Sequence, residues 1–287
     1  MTTPSTPHPQ QYGSVAAPEP HGQGQRTGYV SPVPLRRATL MDALASEWTK
    51  IRSVRSTLWS FGVMLALVLG IGTLIGVALS RSDLPEGGSA IALGFVGVLL
   101  GIMPVMTLGV MTISSEYGTG MIRTTLTACP SRARVLAAKA IVFAALTFVV
   151  SLVATALVSA ILVGTLGGRT TAPMWGWATV GVSVYVALIG LFALAIGALL
   201  RHSAGSITLM IGFVLLPLVL ALFLAATPLG GLQTFLLEYS IPSQLGVFYG
   251  TAMAQDAPGG WEALGIMGGL TALFLGLAFF LQDRRDV

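Results

Sequence analysis

The stretch SEYGTGMIRTTLTACPSRARVLAAK, residues 115–139, is a polar and basic segment between two long apolar runs. It holds one acidic residue, Glu116, and four basic residues in a chain that is otherwise almost free of charge. Gly118 and Gly120 allow a sharp exit from the first run, because glycine adopts backbone angles that other residues avoid. Pro130 ends the short helix that follows, and the serine after it is suited to cap a new helix. The pattern predicts two long helices joined by a short one.

The composition of the whole chain is that of a membrane protein. Hydrophobic residues make up 54% of it and charged residues 9%, and the mean hydropathy is +0.83. A soluble domain carries about 25% charged residues. The formal net charge of +4 is small and dispersed, which argues against nucleic acid as a partner. Cys129 is the only cysteine in the chain, so there is no disulfide framework.

Six apolar runs are each long enough to cross a bilayer, which takes about 20 helical residues. Charged residues occur only at the ends of these runs. The sequence therefore predicts an all-α membrane protein in which residues 57–287 form a six-span transmembrane domain. The predicted spans are 57–79, 91–113, 140–166, 176–200, 204–227 and 262–282.

The basic residues are divided unequally between the two sides of the predicted membrane. Thirteen lie on the side that carries both termini, against Arg81 and Arg169 on the other. Only residues within about 15–20 positions of a span count for orientation, and that restriction still leaves eleven against two. We therefore expect both termini to be cytoplasmic.

Two different segments precede the first span. Residues 1–38 are rich in Pro, Gln, Ser, Thr and Gly, a composition that predicts a disordered cytoplasmic tail. They contain no apolar core of the kind that a cleavable signal peptide requires. Residues 39–56 predict an amphipathic interfacial helix that begins with a capping box and places Trp48 at headgroup depth. The capping residues are Thr39 and Asp42, the apolar face holds Leu40, Leu44, Trp48 and Ile51, and the other faces hold Glu47, Lys50 and Arg55.

Small and polar residues recur at helical spacing within the spans. The pairs Gly72/Gly76 and Gly97/Gly101 indicate close helix packing, and Pro104 and Pro217 predict kinks. A ladder of hydroxyl side chains every fourth residue runs down the third span. It either bonds to the backbone or to a neighbouring helix, or forms a weakly polar wall of a substrate path. The ladder consists of Thr147, Ser151, Thr155 and Ser159.

The last outer loop, residues 228–261, is too apolar to lie free in water. It contains two apolar stretches, 231–240 and 243–254, separated by Pro242. They predict two short helices. These helices either dip into the outer leaflet or cap a pore, or they simply rest on the lipid surface.

Several catalytic and transport motifs are absent from the sequence. There is no GxxxxGK[ST], and neither of the two lysines, Lys50 and Lys139, follows a glycine, so a nucleotide-hydrolysing P-loop is excluded. The three histidines lie outside the predicted spans, and there is neither an HExxH nor a GxSxG motif. Ion-coupled carriers usually have ionisable groups within their spans, and here only Glu116 comes near. The sequence therefore argues against a hydrolase and disfavours an ion-driven carrier.

The order of amphipathic helix, span, short outer loop, span and the 115–139 segment, followed by four further spans, resembles permease subunits of ABC-2-type ABC transporters. The resemblance extends over about 39–287. It implies a bacterial plasma-membrane subunit with no enzymatic activity, a separate ATPase that binds ATP and Mg²⁺, a second permease copy (identical or a close paralogue), and a coupling helix at 118–129. It also implies that the 39–56 helix lies against the ATPase. The residues that match the family motif are Glu116, Gly118, Thr119, Leu126, Pro130, Ser131, Arg132 and Lys139.

These expectations combine into one hypothesis, an exporter permease whose two copies line a path at their interface. Glu116 is then expected to make a charged contact at the base of the membrane domain, and Arg123 and Leu126 to face the ATPase. Arg132, Arg134 and Lys139 belong to the same coupling segment, or alternatively anchor at phosphate headgroups. Two other function classes remain open at this point. They are a membrane scaffold or immunity-type binding protein without transport, and an ion-coupled secondary carrier.

Overall fold

The computed structural model describes residues 39–80, 89–167, 170–226, 228–251, 253 and 257–284. The predicted tail, residues 1–38, lies outside the described residues, as do Arg81 and Arg169. Regular structure in the described residues is entirely helical. The helices are α1 (Leu40–Ser53), α2 (Arg55–Leu79), α3 (Gly94–Thr119, after a 3-10 turn at Ala90–Leu93), α4 (Met121–Ala128), α5 (Arg132–Leu166), α6 (Ala172–Gly176, followed by a π-helical turn at Trp177–Gly181), α7 (Val182–Leu200), α8 (Ser203–Leu224), α9 (Gly230–Glu238), α10 (Ile241–Val247) and α11 (Gly260–Arg284).

The six predicted membrane spans are confirmed by helices of sufficient length and apolarity. Five of the six are longer than predicted. The second and third gain the most residues, because their helices continue through the polar residues at their ends. The second reaches Thr119 and the third begins at Arg132. The helices that cross are Arg55–Leu79, Ala90–Thr119, Arg132–Leu166, Ala172–Leu200, Ser203–Leu224 and Gly260–Gln282.

The fourth span lies at the centre of the bundle. In its most apolar stretch 78% of the residues are buried, against 17% in the fifth and sixth spans. Its main part, α7, packs against α3, α5 and α11, while α2 packs against α3 and α5 on one side. The exposed apolar surface of the first, fifth and sixth spans is therefore available to lipid or to another membrane subunit.

Glycines bring these helices close together, as the sequence predicted for the first and second spans. A Cβ atom added at Gly97 of α3 would lie 2.8 Å from the carbonyl oxygen of Val68 in α2, so the two helices approach closely at this glycine. Gly72 and Gly76 similarly face Val158 and Leu162 of α5. Pro104 and Pro217 lie inside helices that continue past them, and the predicted kinks stay a prediction.

The last outer loop forms the two predicted short helices, α9 and α10. Pro242 does not separate them but lies in the first turn of α10. A backbone N–H there would have no partner within the helix, so a proline at this position loses no hydrogen bond. α10 ends at Val247, earlier than predicted, and it is buried in the bundle. The hydroxyl of Tyr185 in α7 donates to Gln244 Oε1 at 3.2 Å. α9 instead leaves Leu232 and Phe235 exposed at the surface and is only half-buried at Leu236 and Leu237.

Candidate functional site

The segment 115–139, between the second and third spans, folds largely as predicted. Gly120 adopts φ +74°, a left-handed conformation that ends α3 and starts α4. Cys129 is extended before Pro130, as the proline requires. Ser131 Oγ then accepts a hydrogen bond from the Arg134 backbone N–H at 3.3 Å and caps α5. The prediction for Gly118 is wrong, since it lies inside the helix and a single glycine makes the turn.

The helix α1 begins with the predicted capping box. Thr39 Oγ1 accepts from the Asp42 N–H at 3.3 Å, and Asp42 Oδ2 accepts from the Thr39 N–H at 2.9 Å. One extended residue, Val54, separates α1 from α2, so the predicted 39–56 helix ends at Ser53. Of the predicted apolar face, Ile51 is buried and Leu44 half-buried, but Leu40 and Trp48 are exposed. The face turned into the protein therefore overlaps the predicted one only in part. The interfacial position of α1 stays a prediction.

The buried face of α1 carries charge into the protein. It consists of Ala43, Glu47 and Ile51, with Lys50 half-buried beside them. Two of the charged residues that the sequence placed on the other faces of an interfacial helix, Glu47 and Lys50, therefore point toward the ends of the second and third spans. There they meet Glu116 of α3 and Lys139 of α5.

Glu47, Lys50, Glu116 and Lys139 form a closed ring of alternating charge, here called the charge ring. Lys50 Nζ lies 2.8 Å from Glu47 Oε1 and 3.0 Å from Glu116 Oε1. Lys139 Nζ lies 2.7 Å from Glu47 Oε2 and 2.9 Å from Glu116 Oε1. Each lysine therefore bridges both carboxylates, and three separate helices are joined at one point. Lys50 Nζ also approaches Thr125 Oγ1 of α4, at 3.4 Å.

The charge ring is largely removed from water. The side chain of Lys139 is 1% exposed, that of Glu47 4%, that of Glu116 8% and that of Lys50 30%. Isolated charges at such places cost several kcal/mol, so the two positive and two negative groups must compensate one another. Burial opposes the charge of Lys50, but Glu47 and Glu116 outweigh it and raise the pKa of Lys50 above its ordinary value. Lys50 is therefore charged at neutral pH.

Comparison with known protein families gives one match that covers most of these elements. The sequence model described as "ABC-2 family transporter protein" matches residues 43–225. The chain belongs to the ABC-2 transporter family. The matched region starts at the first buried residue of α1 and includes the charge ring, α4 and the first five spans. No curated protein sequence matches the chain.

Membership of this family and the six spans make the chain a multi-pass membrane permease of an ABC transporter. Such a permease is a transport subunit and associates with an ABC ATPase subunit. The two other function classes considered from the sequence, a scaffold and an ion-coupled carrier, give way to this assignment.

The remaining residues of the coupling segment lie at different depths in the permease. Arg123, Gly118, Thr119 and Pro130 are exposed. The prediction that Leu126 faces outward is not supported, because it is half-buried and lines a small cavity with Tyr117 and Ile122. Short amphipathic helices bury their apolar residues on the nearest protein surface, and here α4 does so.

The headgroup-anchor alternative is wrong for Lys139 and does not describe Arg132. Lys139 is buried and bonded to two carboxylates, so it contacts neither a phosphate nor a partner protein directly. Arg132 Nη1 donates to the backbone carbonyl of Gln282 at 2.7 Å, which ties the start of α5 to the end of α11.

The hydroxyl ladder of the third span lies inside the permease. The side chains of Thr147, Ser151, Thr155 and Ser159 are all buried, facing the neighbouring spans. Ser151 Oγ donates to the Thr147 carbonyl at 2.6 Å, and Thr155 Oγ1 donates to that of Ser151 at 2.9 Å. A wall between two copies would need these groups at the surface of each copy. The hydroxyls of Thr147 and Ser159 have no hydrogen-bond partner within the described residues. Backbone bonding therefore accounts for two of the four hydroxyls, and the substrate path stays a prediction.

Sequence reasoning expected a charged contact for Glu116 but missed its partners. Glu47 and Lys50 were assigned to the polar faces of an interfacial helix, and their partners are up to 92 positions away in the chain. One signal was available. The chain has only two lysines, and each lies within a helical turn or two of an expected membrane boundary.

Proposed function

We propose that this permease is the membrane-spanning subunit of an ATP-driven exporter in a bacterial plasma membrane. Two copies, identical or closely related, form the substrate path between them. Separate ATPase subunits bind ATP and Mg²⁺, dock on α1 and α4 and drive the transport cycle. In this arrangement the α4 end of the bundle, with both termini, faces the cytoplasm.

The observation that carries this proposal is the way in which α4 is held. The helix is joined to the second span through the Gly120 turn and to the third through Pro130 and the Ser131 cap. Ile122 is buried against the bundle, while Arg123 points away from it. A docking element for a soluble motor must be exposed on one side and firmly connected to the spans on the other. α4 meets both requirements.

Charge supports the proposed orientation. In the part of the chain that the structure describes, every Lys and Arg lies at or near the α4 end, and none lies at the opposite end. Membrane proteins keep an excess of Lys and Arg in their cytoplasmic segments. The spans carry charged side chains only at their ends, which suits an amphipathic or apolar cargo such as a drug, a lipid or a peptide.

Replacement of Arg123 by glutamate tests the docking proposal. Truncation of a charged contact at a protein interface costs about 2–5 kcal/mol. We therefore expect Arg123→Glu to leave expression and membrane insertion unchanged while recovery of the co-purifying ATPase falls about tenfold or more. The measurement is the ratio of ATPase to permease after mild solubilisation and affinity capture.

Arg55→Glu is the matched control, because Arg55 is an exposed basic residue at the same end but outside α4. It should retain the ATPase. Normal ATPase recovery with Arg123→Glu would remove Arg123 from the docking surface. Failure of the unaltered permease to capture any P-loop protein would overturn the proposed function as a whole.

A further inference from the structure

We propose that the four residues of the charge ring are positioning residues that make α1 and the ends of the second and third spans one rigid body. This inference rests on the proposed function, in which the ATPase docks on α1 and α4. It assigns Glu116 and Lys139 a role that differs from contact with the ATPase. They act through α1, which they hold in place, so that a displacement of α1 moves the second and third spans with it.

α1 has few other attachments to the bundle. The extended residue Val54 interrupts the backbone hydrogen bonding between α1 and α2, so the two helices do not form one continuous rod. Its buried apolar side chains are Ala43 and Ile51, one turn on either side of Glu47. Two such side chains bury little apolar surface and allow α1 to slide or rotate. The ion pairs at the centre of this face are what fixes its position.

The alternation of charge makes that position specific. Glu47 and Lys50 lie on α1, and Glu116 and Lys139 lie on the spans. Rotation or sliding of α1 by one residue would separate Glu47 from the buried Lys139 and Lys50 from Glu116. A buried ion cluster of this kind adds little net stability, but a displaced α1 leaves each of the four buried or half-buried charges with one partner instead of two. The ring therefore selects one register.

Reversal of the ring in halves separates the two contacts that α1 makes with the spans from the other two contacts of the ring. The variant Glu47→Lys with Lys50→Glu keeps the ion pair within α1. It places a positive charge opposite Lys139 and a negative charge opposite Glu116. The variant Glu116→Lys with Lys139→Glu does the same from the span side. The combination of all four substitutions restores alternation around the whole ring. Net charge is the same in all four proteins.

The position of α1 can be read from a single cross-link. α1 and α4, together with Cys129 and Val135, line a cleft of about 340 Å³, and Ser46 is an exposed α1 residue of this cleft. We therefore expect a Ser46→Cys variant to pair, through a short bis-methanethiosulfonate reagent, with the native Cys129, which is largely buried but lines the same cleft. We expect each half reversal to slow cross-linking about tenfold and the full reversal to restore it to within about twofold.

A second measurement uses the unaltered charge ring and does not depend on the folding of any reversal variant. With the Ser46→Cys permease in complex with its ATPase, cross-linking is compared in the nucleotide-free and the vanadate-trapped states. A rigid body predicts equal rates. A rate that falls several-fold on trapping would show α1 moving against the third span and would overturn the inference, as would half reversals that cross-link like the unaltered ring.

The two proposals fail in different ways. If no ATPase is captured, the proposed function fails, while the half reversals still report on the purified permease whether the ring positions α1. If the ATPase is captured and the ring has no effect on cross-linking, the ring inference alone is wrong. Arg52→Glu, an exposed α1 substitution outside the ring, is the control and should leave the rate unchanged.

Discussion

Lys50 and Lys139 have equivalent contacts in the charge ring but unequal surroundings. Each donates to both carboxylates, yet the Lys50 side chain is 30% exposed and that of Lys139 only 1%. Lysine suits both places because its ammonium is a compact charge with three donors on a flexible stem. Water compensates part of any change at Lys50 and almost none at Lys139.

Neutralisation of the two lysines should therefore have different effects. Lys139→Gln leaves an uncompensated buried negative charge, and loss of one partner of a buried ion pair costs about 3–5 kcal/mol. We expect Lys139→Gln to have a lower thermal unfolding temperature than Lys50→Gln in the same detergent, because solvent partly screens the site of Lys50. The measurement is intrinsic-fluorescence unfolding of the purified variants. An equal loss, or a greater loss with Lys50→Gln, would contradict the burial argument.

At the scale of single residues, local hydrogen bonding could be predicted from the sequence, whereas distant partners could not. The Thr39–Asp42 capping box and the Ser131 cap are present as predicted, because each depends on residues three positions apart. The pairing of Glu47 with Lys139 depends on how α1 packs against α5, and nothing in either segment specifies it. Lys139 was consequently assigned to the membrane surface or to a partner, although it is among the most buried side chains.

Among the helices, α4 shows how one glycine sets the direction of a chain. Gly118 and Gly120 are both exposed and have open space around a would-be Cβ atom. They differ in backbone conformation alone, since Gly118 is helical and Gly120 has φ +74°. Composition does not reveal which glycine of a Gly-Thr-Gly makes the turn. The structure assigns it to the second.

Alanine substitution at these two glycines gives a matched pair. In Gly120→Ala the left-handed conformation costs roughly 1–2 kcal/mol, and α4 is expected to shift or fray. In Gly118→Ala the helix gains about 0.5–1 kcal/mol, because alanine loses less backbone entropy. Gly120→Ala should therefore lower the unfolding temperature and ATPase recovery, while Gly118→Ala leaves both unchanged or raised. Equal behaviour of the two variants would exclude the turn assignment.

For the whole molecule, hydropathy sufficed to predict the number and order of spans but not their arrangement. The spans were found because each is apolar over a length that matches the bilayer. A helix such as α7 is apolar on all sides, so its sequence does not tell which face meets α3 or α5, nor that it lies at the centre. The glycines Gly109, Gly190 and Gly197, which allow α3 and α7 to approach, were among 35 in the chain.

The orientation of the permease is tested with reporter fusions at loops and termini. The excess of basic residues at the α4 end predicts cytoplasmic signals at positions 20, 128, 202 and 287. Positions 86, 168 and 255 should report the outside. Paired alkaline-phosphatase and fluorescent-protein fusions give opposite signals and serve as controls for one another. An outside signal at position 128 would place α4 on the wrong side of the membrane for a cytoplasmic ATPase.

The long separation between the two halves of the charge ring has a consequence for biosynthesis. Glu47 pairs with a lysine 92 residues later in the chain. A ribosome that adds about 5–20 residues per second synthesises that lysine roughly 5–20 s after it has finished α1. Until then Glu47 has only Lys50 as a partner, one helical turn away. The first helix to be synthesised therefore reaches its final place only after the third span has begun to enter the bilayer, and a nascent chain stalled before Lys139 carries an undocked α1.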